Sequence, residues 1–92
     1  LMLSTASGGP RGYIAVHRYH HDAPADSAAY FADAEAIMTA HGGRPHWGKM
    51  HTRDAEYLRS AYPRFDEFLA VRDRFDPDRV FTNPYLHQVL GS

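Results

Sequence analysis

Arg11-Gly12-Tyr13-Ile14-Ala15-Val16-His17-Arg18-Tyr19-His20 is the stretch on which the fold class turns. Tyr13, Ile14, Val16 and Tyr19 favour a pleated, extended backbone. Alternation would set Ile14, Val16 and Arg18 on one face and Tyr13, Ala15, His17 and Tyr19 on the other. Upstream, Ser4 to Gly12 is rich in Ser, Gly and Pro, the chemistry of turns. Leu1–Thr5, a turn and Gly12–Tyr19 therefore predict a β-hairpin. His17 would share its face with two tyrosines, where a histidine is ordinarily a satisfied structural residue.

Downstream the period changes from two to that of a helix. After Pro24, Asp26 or Ser27 can cap a helix. Ala28 to Ala40 then carries Phe31, Ala34, Ile37 and Met38, with His41 following, at helical spacing. Gly42 is the expected left-handed stop. The simplest role for the stripe is a face packed on a sheet. Thr52 can cap a short helical turn from Asp54 to Arg59. Tyr62-Pro63 opens a further helix, with Phe65, Phe68, Leu69 and Phe75 on one side, ending at Asp76-Pro77. Val80 to Leu86 carries too many apolar groups for a free end and is expected to lie across a hydrophobic surface. The expected fold class is thus α+β: a strand or hairpin followed by about three helices. One or two strands do not close a sheet, so this expectation includes a larger antiparallel-sheet domain or a second copy of the chain.

Between the first two helices lies His41-Gly-Gly-Arg-Pro-His-Trp-Gly-Lys-Met50, with the only Trp and the only Lys of the chain. Gly42 and Gly43 admit backbone angles closed to other residues. Arg44 precedes Pro45 and is pushed toward an extended conformation. His46 and Lys49 offer two different polar heads from one aromatic-backed segment. A structural connection anchored by Trp47 fits the same residues.

Composition limits the functions that fit. Ninety-two residues make one domain at most, with a thin stability margin. A hydrophobic share of 43% argues against disorder. The net charge of -1, with nine Arg scattered among eleven acidic residues and no basic run, argues against nucleic acid as a partner. Cysteine is absent, which removes disulfides, thiolate metal ligands and Cys nucleophiles. No apolar run reaches the length of a membrane span. A cytoplasmic location is expected, with membrane association left open. His17, His20, His21, His46 and His51 raise the question of a metal site, but His-x-x-His-His is not a recognised ligand spacing, so no metal is expected. Ser4 and Ser7 lack the surroundings of a hydrolase nucleophile. The chain opens on Leu1-Met2-Leu3 rather than Met, and is read as part of something longer.

The motifs carry a resemblance. Arg44-Pro45-His46-Trp47-Gly48-Lys49 resembles the C-terminal signature of the aldonolactone and alditol oxidases, FAD-linked enzymes of the vanillyl-alcohol-oxidase type. Tyr62-Pro63-Arg64-Phe65-Asp66-Glu67-Phe68 through Arg72-Asp73-Arg74-Phe75-Asp76-Pro77 resembles the family's helix ending in Asp-Pro. Val80-Phe81-Thr82-Asn83-Pro84-Tyr85-Leu86, with Val89 to Ser92, resembles its closing segment. Leu3-Ser4 and Tyr13-Ile14-Ala15-Val16-His17 fit the strand region just upstream. The segments fall in the family's order and cover nearly the whole chain.

The resemblance implies that residues 1–92 are the C-terminal part of a substrate-binding domain, with the FAD-binding domain absent from this chain. It implies a substrate-binding and catalytic role for Lys49, a cofactor contact for His46 and, more weakly, a substrate-facing position for His17. FAD is the implied cofactor, bound mainly by the missing domain, and the implied partners are a sugar lactone or polyol substrate and the rest of the polypeptide. Hydride transfer from a sugar C–OH to flavin asks the protein for binding, orientation and electrostatics, which these residue types can supply. The chain alone is expected to be inactive. A different class also fits the residues: a stand-alone α+β interaction module that dimerises through unpaired apolar faces and has no chemistry.

Overall fold

The computed structural model describes every residue except His20 and Asp22. Four helices follow one another among the described residues: α1 (Pro24–Ala40), α2 (Ala55–Ala61), α3 (Phe65–Phe75) and α4 (Pro84–Leu90). No strand forms among them, so the expected α+β class is corrected to all-α. Residues 11–19 carry strand-forming side chains but no ladder partner, and a lone strand leaves its N–H and C=O groups unpaired. The other half of the expected hairpin turns instead of extending: the Ser7 N–H donates to the Ser4 carbonyl at 3.0 Å. Tyr13, Ile14 and Tyr19 are accordingly exposed.

The helix ends follow local chemistry. α1 begins earlier than the Asp26 or Ser27 cap would allow, because Pro24 takes the first helical position, where its missing N–H is not needed. Asp26 becomes a first-turn acid, favourable at the positive end of the helix. α1 stops at His41, and Gly42 follows with φ +73°. α2 is capped by Asp54, not Thr52: its carboxylate accepts the Tyr57 N–H at 3.0 Å. α3 ends at Asp76, as the Asp-Pro pair predicts. α4 replaces the expected apolar tail. The Asn83 side chain accepts the Leu86 N–H at 2.8 Å, Pro84 occupies the first turn, and Gly91 ends the helix at φ +83°.

α2 packs against both α3 and α4. Their meeting faces bury Leu58, Tyr62, Phe65, Val89 and Leu90, with Leu3, Trp47, Phe68 and Tyr85 among the residues set against them. Leu58 and Tyr62 share a face of α2 and its end, one helical turn apart. Val89 and Leu90 fall at the last turn of α4, so its C-terminal end is the one sealed in the core.

α1 buries no residue completely. Phe31, Ala34 and Met38 are half-buried, while Ile37 and His41 face solvent, so the stripe read from the sequence lacks the sheet expected to cover it. The radius of gyration is 15.0 Å, against about 12 Å for a compact domain of this length. A second cluster closes the far end. The buried Asp76 carboxylate accepts the N–H groups of Val80 at 2.7 Å and Phe81 at 2.9 Å. Arg79 sits at φ +54° and donates to the Asp76 carbonyl at 2.6 Å, which holds a conformation unusual for a residue with a side chain.

Candidate active site

The stretch from His41 to Met50 folds as two turns separated by a rigid link. In the first, the Gly42 N–H donates to the Thr39 carbonyl at 3.0 Å and the Gly43 N–H to the Met38 carbonyl at 2.8 Å. A Cβ at Gly43 would stand 2.7 Å from the Met38 carbonyl oxygen, so only glycine lets the chain fold back this closely on α1. In the second turn, the Lys49 N–H donates to the His46 carbonyl at 3.0 Å, which puts Trp47 and Gly48 at the centre.

Four side chains fix this stretch to the core. Arg44 is the first. Its Nε donates to the Ala61 carbonyl at 2.9 Å, and its Nη1 to the Ser7 carbonyl at 2.6 Å and the Ser7 hydroxyl at 2.9 Å. Its guanidinium also lies 4.5 Å from the centre of the Tyr62 ring, a cation–π distance. Tyr57 donates its hydroxyl to the Gly43 carbonyl. Trp47 meets the Tyr62 ring edge-on, with centroids 6.4 Å apart. Tyr85, from α4, donates its hydroxyl to the Trp47 carbonyl at 2.7 Å.

Burial raises the Tyr62 phenol above its ordinary pKa, with the Arg44 cation pulling the other way. Tyr62 is therefore a neutral ring to stack against. Its hydroxyl and the Trp47 Nε1 are both buried, and neither makes a bond of full hydrogen-bond geometry among the described residues. Yet the Trp47 N–H acts on the phenol with Arg44 against the upward shift, so packing and a weak polar contact hold this junction together.

The two polar heads are left outside. His46 is exposed, and its Nδ1 accepts the Gly48 N–H at 3.0 Å. That bond assigns the ring proton of the neutral imidazole to Nε2, which points away from the turn's own backbone as a donor. Lys49 is exposed, and its ammonium forms no ion pair or hydrogen bond among the described residues. One three-residue step thus presents an N–H donor and a cation on an anchored turn. His17 is exposed in the segment without regular structure, and no hydrogen bond joins it to His46 or Lys49. The structure brings together two of the three residues singled out by the sequence. Of the histidines weighed for a metal, His20 lies outside the described residues.

Residues that sequence reasoning passed over hold the turn from the other side. His51 accepts the Arg53 N–H on Nδ1 at 3.1 Å and pairs through Nε2 with the Tyr85 hydroxyl at 2.9 Å. Burial lowers its pKa, and Glu35 and Arg53 act on it in opposite senses. Glu35, from α1, accepts the Thr52 N–H at 2.9 Å and Arg53 Nε at 2.8 Å. Burial works to raise this carboxyl, but the Thr52 and Arg53 donors outweigh it and hold it below the ordinary value. Glu35, Thr52, Arg53 and Tyr57 line a shallow open depression of about 350 Å³ against α1. It is not at Lys49, and its carboxylate is already saturated with donors, so it is a clamp between α1 and the loop. The Glu35–Thr52, Glu35–Arg53 and His51–Tyr85 partners are 17, 18 and 34 residues apart in sequence, and no local signal marks them.

A flavin would find an edge contact here and no cradle. Gly42 and Gly43 spend their N–H groups on α1 carbonyls, so they cannot bind a pyrophosphate. The outward Nε2 of His46 is free to meet a ring edge.

Residues 1–89 match the family of D-arabinono-1,4-lactone oxidase. The chain is 54% identical over 89 residues to L-gulono-1,4-lactone dehydrogenase of Mycobacterium tuberculosis, which covers 97% of this chain and 20% of that protein. It is 42% identical over 61 residues to L-gulonolactone oxidase of Bos taurus, covering 66% of this chain and 14% of the relative. It is 43% identical over 56 residues to alditol oxidase of a Streptomyces species, covering 61% and 14%. No solved structure matches. The chain spans about a fifth of the length of the mycobacterial relative. With nearly every residue inside the match, this chain belongs to the D-arabinono-1,4-lactone oxidase family of flavin oxidases and corresponds to its C-terminal region.

Proposed function

We propose that this chain supplies the substrate-orienting turn of an FAD-dependent oxidoreductase that oxidises a C–OH of a sugar lactone or polyol. The observation that carries the proposal is the turn from His46 to Lys49: its backbone is fixed by Tyr85 and packed through Trp47, while its two polar side chains are exposed. FAD, when bound, accepts the hydride. Lys49 donates to the substrate oxygen and stabilises the negative charge left there as the hydroxyl proton passes to a general base of the complete flavoprotein. Departure of hydride from the carbon then converts that C–O⁻ to C=O. A compact ammonium with three rotatable donors suits a hydroxyl whose direction changes between substrate and product better than a planar fork does. His46 donates from Nε2 to the flavin edge. Trp47 walls the turn off from water and keeps its backbone from sagging. Residues 1–92 accordingly form part of a substrate domain, with the bulk of the flavin contacts made elsewhere in the polypeptide.

Lys49→Met tests this in the complete flavoprotein that carries the chain. The substitution keeps much of the stem and deletes the charge. Flavin content should stay at the wild-type level, and flavin reduction by substrate should slow by about a hundredfold to a thousandfold, the usual cost of one lost electrostatic donor. Lys49→Arg should recover part of the rate. Full flavin content together with an unchanged reduction rate would overturn the assignment.

A further inference from the structure

His51, Tyr85 and the Trp47 carbonyl form one continuous line of hydrogen bonds, 2.9 Å and 2.7 Å long, and the line ends on the turn that carries Lys49. Its directions are determined. The Arg53 N–H points at His51 Nδ1, so a neutral His51 carries its proton on Nε2. Nε2–H then donates to the Tyr85 oxygen, which leaves the Tyr85 proton for Trp47. A second α4 side chain, Gln88, donates to the Arg53 carbonyl at 2.9 Å and holds the start of this line in register. The groups facing His51 come from three places: Glu35 on α1, Arg53 beside it in sequence, and Tyr85 on α4.

The geometry is that of a brace. Trp47 is at the centre of the turn, between His46 and Lys49, and its carbonyl has no helix or strand to hold it. Within the turn that peptide plane is held on its other side by the Gly48 N–H on His46 Nδ1, so a free Trp47 carbonyl would leave it one anchor and let it tilt, carrying Gly48 and Lys49 with it. Tyr85 removes that tilt from outside the turn, and His51 removes the rotation of the Tyr85 hydroxyl.

We propose that Tyr85 and His51 are positioning residues that set the direction of Lys49 toward the substrate. The inference rests on the substrate role proposed above for Lys49. Neither residue touches substrate or flavin in this account; both act through the Trp47 peptide.

The test is a double-mutant cycle in the complete flavoprotein, because coupling between two sites appears as non-additivity. Tyr85→Phe keeps the ring and deletes the hydroxyl. Substrate-driven flavin reduction should fall about three- to tenfold, the scale of one neutral hydrogen bond, with flavin content unchanged. In the Lys49→Met background the same substitution should change nothing. Equal losses in both backgrounds would overturn the proposal, as would a severe Lys49→Met defect with no Tyr85→Phe defect.

His51→Asn gives an independent arm, for it keeps an acceptor near the Arg53 N–H and cannot reach Tyr85. It should show a milder loss with the same dependence on Lys49, and a loss independent of Lys49 would count against the brace. The fluorine NMR signal of fluorotryptophan at position 47, assigned by its disappearance in Trp47→Phe, reports on the brace without activity. It should move in Tyr85→Phe. If Lys49→Met proves silent, the functional reading fails and this signal decides the brace alone: a shift sustains it, and an unmoved signal overturns it.

Discussion

Replacing Arg44 by Met should weaken the fold markedly. The guanidinium makes two short bonds to main-chain carbonyls, Ala61 at 2.9 Å and Ser7 at 2.6 Å, with a long one to Thr5, and stacks 4.5 Å from the Tyr62 ring centre. A hydrogen bond from a charged donor contributes about 1.5–3 kcal/mol. Arg44 is only half-buried and water can reach the freed carbonyls, so each bond contributes less than that range, about 1 kcal/mol, and the two together about 2 kcal/mol. The ring contact adds about 0.5–1 kcal/mol. The expected loss is about 2–3 kcal/mol. A chain of this length has about 5–14 kcal/mol in all, and a core of five buried residues argues for the lower half. The melting temperature should therefore fall by about 8–24 °C. Urea unfolding followed by Trp47, the only Trp of the chain, measures it directly. Arg44→Lys keeps the charge but reaches one carbonyl at a time, and should recover less than half of the loss. A change below about 0.5 kcal/mol in Arg44→Met would refute the reasoning, since an exposed, ungripped side chain behaves that way.

Three further outcomes follow from the same geometry. Gly43→Ala should cost about 1–3 kcal/mol, because its Cβ would meet the Met38 carbonyl at 2.7 Å and neither partner is a flexible side-chain end; an unchanged urea midpoint would contradict it. Glu35 and His51 both hold fewer protons in the folded chain than in the unfolded one, so stability should fall with acidification. The His51 share is complete above its ordinary value of about 6.5 and lost as pH falls through its lowered folded value; the Glu35 share follows at lower pH in the same way. Urea midpoints measured from about pH 8 to about pH 3 should decline, and His51→Gln should flatten the upper part of the curve. In the complete flavoprotein, His46→Ala should alter the flavin spectrum or potential more than substrate discrimination; the reverse would move His46 to the substrate side.

What could be read from the sequence was whatever depends on neighbours along the chain. The Gly42 stop, the Asp76-Pro77 end of α3 and the polar heads of the His46–Lys49 turn are all local. The start of α1 was equally local, in Pro24, but Asp26 and Ser27 looked like better caps than a proline looked like a beginning. α4 is the plainer lesson. Asn83, Pro84 and Gly91 spell a cap, a first turn and a stop, yet the apolar run from Val80 to Leu86 suggested only a tail lying across a hydrophobic surface. The strand expectation for residues 11–19 failed for a different reason. Strand propensity reflects packing against a partner strand, and the partner is not something a segment's own residues can supply. The site divides in the same way. His46 and Lys49 were named from their own motif. Arg44 was seen only as a residue before proline, because its acceptors lie 17 and 37 positions away. The His51–Tyr85 pair spans 34 positions and left no trace in spacing.

The grip of Arg44 falls mainly on carbonyl oxygens, at Ala61 and at Ser7, with Thr5 at 3.4 Å. Every amino acid brings the same carbonyl to those positions. The turn can therefore stay put while the surface around it is rewritten. A library randomised at position 5 with small and polar residues should yield mostly folded members, whereas one randomised at 44 should yield few. The side chain at such a position is free to vary without loosening the residue that does the holding.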